Sequence, residues 1–308
     1  MRKLLVILIC IITIPLLLLV FHPDITTPKQ DVKQELSSPH SHFLHWNEAE
    51  VHYTDEGKGA PVLMIHGLGG SYTHFNKLAE LMKDDYRIIR VDLPGFGLSD
   101  LPKLSAGENY VQKYEEYLQF LFDTLQLDSV YVIGNSLGGM VTWVAAAKFP
   151  AVVKKIVLLS PAGYDLEKVL AAREKFRYDF MQWIAARGMS LSMSRAGLRK
   201  AYFNDDKVEE SYVRLINRFV NIKGNIPNKL KIVLSESFPD TALLQNIQCP
   251  TLIVWGREDA VIPVAHAERF HRDVKNSEVV ILDSMGHCPM LETPQKTSEL
   301  CVRFFETQ

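Results

Sequence analysis

The chain has 308 residues, 47% of them hydrophobic and 23% charged, enough for one large domain carrying an insertion. A formal net charge of −2 with no basic stripe excludes nucleic acid as an expected partner. Four cysteines without C-x-x-C spacing exclude a common zinc site, and no metal or cofactor is expected.

Arg2 and Lys3 precede a run from Leu4 to Phe21 that holds no charge. At 1.5 Å per residue the run is about 27 Å long, close to the ~30 Å hydrocarbon core of a bilayer. The following "HPDITTPKQ" offers no small-residue cleavage site, so residues 1–21 are expected to be a transmembrane anchor, with a cleaved signal segment as the alternative. The basic pair keeps the N-terminus cytoplasmic and puts the remainder outside, membrane-anchored or secreted. Residues 22–41, polar and rich in Pro, Ser, Thr and Lys, read as a linker.

"HFLHWNEAEVHYTDEG" alternates and breaks at Asn47-Glu48, the pattern of an antiparallel edge hairpin. A βα rhythm follows. "PVLMIHG", "YRIIRVDLPG", "SVYVIG" and "VKKIVLLS" are apolar strands, and helical patterns occupy Tyr72–Met82, Tyr110–Leu127 and "LGGMVTWVAAAKF". Near-continuous apolar strands between helices predict a parallel sheet covered on both faces. The rhythm stops over 161–247, which is helical, strand-free and rich in Phe, Tyr, Met and Trp. "PTLIVWG", a helix near Ala265–Asp273, "SEVVILD" and a last helix then complete the sheet. The predicted divisions are therefore a core in two parts, 42–160 and 248–308, with a helical cap of 161–247 between them.

Gly134-Asn135-Ser136-Leu137-Gly138 fits G-x-S-x-G on a strand-to-helix turn. Such a turn strains its central residue, lifts the serine hydroxyl above the sheet edge, and sets it over a helix N-terminus that favours negative charge. A serine hydroxyl needs a base to take its proton, and the base needs an acid to orient it. "LIVWGREDAVIP" puts Asp259 just after a strand, and "VVILDSMGHCPMLE" puts His287 just after the next, so all three predicted catalytic residues reach one sheet edge. Glu258 is the alternative acid, read as a solvated loop charge, and Asp283 has a structural reading. The remaining histidines read mostly as surface or linker residues, except His66, which sits beside the site. Donors for an oxyanion are expected from the backbone N–H groups of Leu137 and of Leu68, the latter in the glycine-rich "HGLGGS".

In "HGLGGS", "DLPGFGLSD", "GNSLGG", "GREDAVIP" and "GHCPMLE", which occur in this order within Phe43–Phe305, the sequence resembles the α/β-hydrolase fold family. The resemblance implies an α/β architecture with a mostly parallel eight-stranded sheet flanked by helices and a helical cap. It also implies Ser136 as nucleophile, His287 as base, Asp259 as acid, and Leu68 and Leu137 as oxyanion donors. A serine argues against the branches that use an aspartate nucleophile. The anchor, "DLPGFG" and "GNSLGG" look like membrane-bound or secreted bacterial lipases and esterases and like monoacylglycerol-lipase-type enzymes. Hydrolases of carbon–carbon bonds in ring-fission products share the serine but commonly carry Trp after the histidine, where this chain has Cys288. The expected activity is cleavage of an apolar ester or lipid, with carbon–carbon hydrolysis as the enzyme alternative and a ligand-binding receptor as the non-enzyme one. Phe176, Phe180, Met181, Trp183 and Cys288 are expected to line the substrate pocket, joined by Met189 and Met193. Arg195, Arg199 and Lys200 read as a solvated helix face.

Overall fold

The computed structural model describes residues 23–164, 174, 178–235 and 238–307. The expected anchor, 1–21, and the expected pocket residue Phe176 lie outside them. Among the described residues no helix is long and apolar enough to cross a membrane.

Eight strands form one sheet: β1 (Ser41–Trp46), β2 (Ala49–Gly57), β3 (Ala60–Ile65), β4 (Tyr86–Val91), β5 (Val130–Asn135), β6 (Val153–Leu159), β7 (Thr251–Gly256) and β8 (Ser277–Leu282). Their spatial order is β1-β2-β4-β3-β5-β6-β7-β8. The β1–β2 hairpin is antiparallel and turns at Asn47, whose φ of 53° an asparagine tolerates better than most residues. β2 also runs antiparallel to β4, and every later pairing is parallel.

The period-2 alternation of side chains divides the parallel strands between two cores. Leu63, Ile65, Val132, Ile156, Leu158 and Ile253 face one core. Val62, Met64, Ile133, Val157, Leu159 and Val254 face the other. Helices Tyr110–Thr124, Leu137–Lys148 and Ala265–Asp273 cover the first core, and Asn76–Met82 and Pro294–Glu306 cover the second. This double cover is why the strands read as unbroken apolar runs.

Between β6 and β7 the described residues hold helices Asp179–Ala185, Leu191–Ala201, Glu210–Val220 and Asn225–Leu234, and no strand of the sheet. They lie over the C-terminal edge of the sheet, where the cavity described below opens.

The segment read as a linker is docked on the body. Residues Lys29–Leu36 form a helix whose Val32, fully buried, packs with Tyr72, Leu98, Phe219 and Ile222. Lys29 pairs with Asp100 and Lys33 with Glu50, each at 2.8 Å, while Thr27 bridges to Ile222. Its polar composition concealed this, because the carboxylates that answer its lysines lie far away in sequence. Cys249, Cys288 and Cys301 are all free thiols, and the described residues contain no cluster able to hold a metal.

Asp92, at the end of β4, ties several loops together. Its Oδ1 accepts the N–H of Tyr72 at 2.7 Å, and its Oδ2 accepts the N–H of Leu98 at 2.9 Å and His52 Nδ1 at 2.7 Å. Burial by itself pushes this carboxyl up, but its interactions with His52 and His66 and the Leu98 N–H outweigh that and hold it below the ordinary carboxylate range. A folded-state pKa below the unfolded value contributes stability above pH ~4, and the contribution fades as pH falls through the folded value. Asp92→Asn is therefore expected to lose about 2–4 kcal/mol at pH 7. The gap from wild type should shrink below pH 4 in urea titrations; a gap constant with pH would contradict this account.

Candidate active site

Ser136 joins β5 to the helix Leu137–Lys148 with φ 55° and ψ −116°, a conformation that strains any residue with a side chain. Its N–H donates to Leu159 at 3.1 Å, and its carbonyl accepts from Met140 at 3.0 Å and Ala162 at 2.9 Å. The flanking glycines are set by contact. A Cβ on Gly138 would strike the carbonyls of Ile65 and His66 on β3 and its loop, and one on Gly134 would strike Thr142 and the Gly138 carbonyl. The helix thus starts directly against the sheet, leaving Ser136 accessible and Leu137 with an N–H that no earlier helical carbonyl can accept.

Asp259 and His287 stand on the loops after β7 and β8. Asp259 Oδ2 accepts His287 Nδ1 at 2.7 Å. Its Oδ1 accepts the N–H groups of Val261 at 2.8 Å and Ile262 at 2.9 Å, so the carboxylate cannot swing away. The proton on Nδ1 follows from its carboxylate partner and leaves Nε2 free to act as a base. Glu258 turns elsewhere and accepts the Met285 N–H at 3.0 Å. Asp283 pairs with Arg257 on the exterior.

Sequence reasoning missed two residues that position this machinery. Asn135 Nδ2 donates to the carbonyls of Leu159 at 3.0 Å and His287 at 3.1 Å, locking the histidine loop to the serine turn. Glu292 is buried; its Oε1 accepts the Gly286 N–H at 2.8 Å, and its Oε2 accepts Phe203 at 3.0 Å and Asn204 at 3.4 Å. Burial pushes the Glu292 carboxyl up, and these N–H groups only partly offset it. The His287 N–H donates to the Ala201 carbonyl at 2.7 Å, so the histidine loop is bound to the cap directly at His287 and through Glu292 at Gly286. Both residues lie inside quoted motifs, as polar letters among apolar ones, and that was the available signal.

His66 is fully buried and fixes the glycine-rich loop. Its Nε2 accepts the Leu93 N–H at 3.1 Å, which makes Nδ1 the donor to the Gly67 carbonyl at 2.8 Å. Burial keeps it neutral by lowering its pKa. His52 and His74 also depart from the surface reading. His52 is buried, and His74 carries a buried, unpartnered Nδ1, with its pKa driven down to about 3 by burial and by His66.

Ser136, His287, Leu68 and Leu137 line one cavity of about 410 Å³. Met189, Met193 and Leu198 of the cap and Cys288 form part of its wall; burial pushes the Cys288 thiol up and keeps it protonated. Phe180, Met181 and Trp183 do not reach it. Helix Asp179–Ala185 buries none of its residues, and Phe180 and Trp183, 43% and 40% exposed, stack on each other outside. Aromatic content identified an apolar helix but not the direction it faces.

A second chain of the same residue types runs Ser41 Oγ, His52 Nε2 (2.8 Å), His52 Nδ1 and Asp92 Oδ2 (2.7 Å). Ser41 begins the edge strand, takes no part in the cavity and precedes no helix, so this chain has the hydrogen bonds of a triad without an oxyanion site.

Comparison with known proteins agrees with this architecture. A family model for the alpha/beta hydrolase fold matches residues 60–294. Lipase 1 of Psychrobacter immobilis is 27% identical over 269 residues, 80% of this chain and 78% of that protein. The 2-hydroxy-6-oxo-6-(2'-aminophenyl)hexa-2,4-dienoic acid hydrolase of Metapseudomonas resinovorans is 25% identical, over 85% of this chain and 89% of that one. The crystal structure of a membrane phospholipase A superposes with a TM-score of 0.74 at 22% identity, covering 99% of this chain and 98% of the other.

Asn135→Ala removes the side-chain donor to the His287 carbonyl and is expected to destabilise the fold by about 1–3 kcal/mol in denaturant titration. A change within ~0.5 kcal/mol, the usual span for a neutral surface substitution, would mean that Asn135 joins nothing.

Proposed function

The chain belongs to the alpha/beta hydrolase fold family, and we propose that it acts there as a serine hydrolase of carboxylic esters with apolar, lipid-like acyl groups. The observation that carries this reading is Ser136, on its strained turn, sharing a cavity with a histidine already oriented by Asp259.

In this mechanism Ser136 Oγ attacks the ester carbonyl carbon while His287 Nε2 takes its proton. The carbonyl oxygen becomes an anion held by the N–H groups of Leu68 and Leu137, and the helix Leu137–Lys148 adds its positive end. Collapse of the intermediate expels the alcohol, which leaves with the proton from His287, and an acyl-Ser136 remains. Water, deprotonated by His287, attacks the acyl carbonyl; the acid departs and the proton returns to Ser136. The buried Asp259 stabilises the imidazolium formed in each half.

Methionines and aliphatic side chains in the wall favour an apolar acyl group, since Met adapts to flexible chains. The volume lies in the ~300–1,000 Å³ range of small-ligand sites. Carbon–carbon hydrolysis remains the second reading, supported by relatives named for dienoic-acid hydrolysis and opposed by Cys288 after the histidine.

The localisation proposed is a membrane surface, with residues 1–21 as the anchor. The chain just beyond them lies along the cap. Ile25 N–H donates to Arg187 and Thr27 N–H to Asn221, each at 2.8 Å. Exposed Phe180 and Trp183, the latter under the Arg187 guanidinium, belong to the same part of the cap. Aromatic and basic side chains of this kind suit a lipid interface, which supports a cavity mouth turned toward lipid.

Hydrolysis of p-nitrophenyl esters from acetate to palmitate by the full chain in detergent is expected to peak at short to medium length. Ser136→Ala should lower kcat roughly 10⁴- to 10⁶-fold, whereas Ser41→Ala should keep wild-type activity. Absence of serine-dependent cleavage of any ester, together with turnover of ring-fission diketones, would transfer the assignment to carbon–carbon hydrolysis.

A further inference from the structure

The cavity wall contains one residue whose chemistry does not match an apolar ester. Helix Asn225–Leu234 turns Lys229, Ile232 and Val233 into the cavity, the i, i+3, i+4 stripe of one helical face. Lys231, two residues from Lys229, is exposed as a surface lysine ordinarily is. The helix is pinned at its start, where Asn225 Nδ2 donates to the carbonyls of Gly97 and Phe219, both at 3.0 Å.

The Lys229 side chain lies across Gly69 of the glycine-rich loop. Gly69 has φ 75°, and a Cβ there would sit 3.1 Å from Lys229 Nζ and 3.5 Å from its Cε. The ammonium is therefore one residue from Leu68, the proposed oxyanion donor. Among the described residues no carboxylate pairs with it and no hydrogen-bond acceptor meets it. Among the described residues, other lysines packed into the fold are answered: Lys113 by Glu108 and Glu116, and Lys155 by the carbonyls of Phe304 and Phe305. Burial lowers the pKa of Lys229 with nothing to oppose it. A partly buried cation with no partner among the described residues is costly in an apolar wall, and an anion bound beside it would offset that cost.

We propose that Lys229 is an anion subsite of this cavity, so that the ester acted on carries a carboxylate or phosphate close to its scissile carbonyl. This deepens the ester-hydrolase reading and rests on it. A phosphate would come from a lipid headgroup, and a carboxylate from the monoester of a dicarboxylic acid or a similar acyl acid. The shared chemistry is a compact anion on an otherwise apolar substrate. The surrounding wall accepts the chain while Lys229 fixes its register, setting which carbonyl reaches Ser136. A lysine suits this role because its compact ammonium meets either anion without a demand for bidentate geometry.

The test is calorimetric binding of octyl phosphate, octanoate and octan-1-ol to the full chain carrying Ser136→Ala, with and without a change at Lys229. Both anions, or one of them, are expected to bind at least tenfold more tightly than the alcohol. Lys229→Met should bring that ratio close to one, and Lys229→Arg should keep most of it, which separates lost charge from lost fold. The better anion identifies the source, phosphate for a headgroup and carboxylate for an acyl acid. An anion-to-alcohol ratio near one with Lys229 present, or a ratio unchanged in Lys229→Met, overturns the subsite. Ester cleavage by the wild-type chain is measured separately. Neutral-ester hydrolysis without anion preference would retain the esterase and remove the subsite, and Lys229-dependent anion binding without any ester cleavage would do the reverse.

Discussion

The backbone of Ser136, at φ 55° and ψ −116°, is the constraint around which the rest of the molecule is arranged. Such a conformation costs on the order of 1–3 kcal/mol and persists only where its surroundings over-determine it. They do so here. The β5–helix junction is clamped against β3 through Gly138, bonded to the end of β6 through the Ser136 N–H, and capped by the Ala162 N–H on the serine carbonyl. Moving any of these strands would relax the turn and withdraw the hydroxyl from the cavity.

Around that turn the structure uses buried polar side chains as joints between loops that share no secondary structure. Asn135 joins the serine turn to the histidine loop, Glu292 joins the histidine loop to the cap, and Asp92 joins the β4 loop to the segment beginning at Tyr72. Each is hydrogen-bonded to backbone groups of distant segments, which is how a buried polar group rigidifies a fold. The Ser41–His52–Asp92 chain belongs to this scaffolding. Its His52–Asp92 contact matches that of His287 with Asp259, both at 2.7 Å, and what separates the two serines is position: one stands on a strained helix start facing a cavity, the other at the start of an edge strand.

The cavity itself combines an adaptable apolar wall with one cation beside the oxyanion loop. The apolar part selects by shape and area, and the cation would select by charge, a finer criterion in a space of low dielectric. The cap supplies both, and it is tied to the body by the His287–Ala201 hydrogen bond and by the residues that follow the expected membrane segment. The cavity wall and the loop that carries His287 are thus joined through the cap.

What this sequence determined by itself was local. Unbroken apolar runs made the parallel strands legible and alternation the edge hairpin, glycines at 134 and 138 made the turn legible, and Asp259 and His287 were legible because each follows a strand that ends at one sheet edge. The family resemblance added the number of strands in the sheet. Tertiary structure decided the rest, for a common physical reason: the partner that gives each remaining residue its role is far away in sequence. Val32 and Lys29 dock a helix where composition indicated a linker, because Phe219 and Asp100 receive them. Phe180 and Trp183 stack outside the cavity while Met189 and Met193 touch it, Met193 remaining half-exposed, because apolar content does not say which way a side chain faces. Lys229 looked like any lysine on a helix until the fold laid it across Gly69, where no carboxylate among the described residues pairs with it.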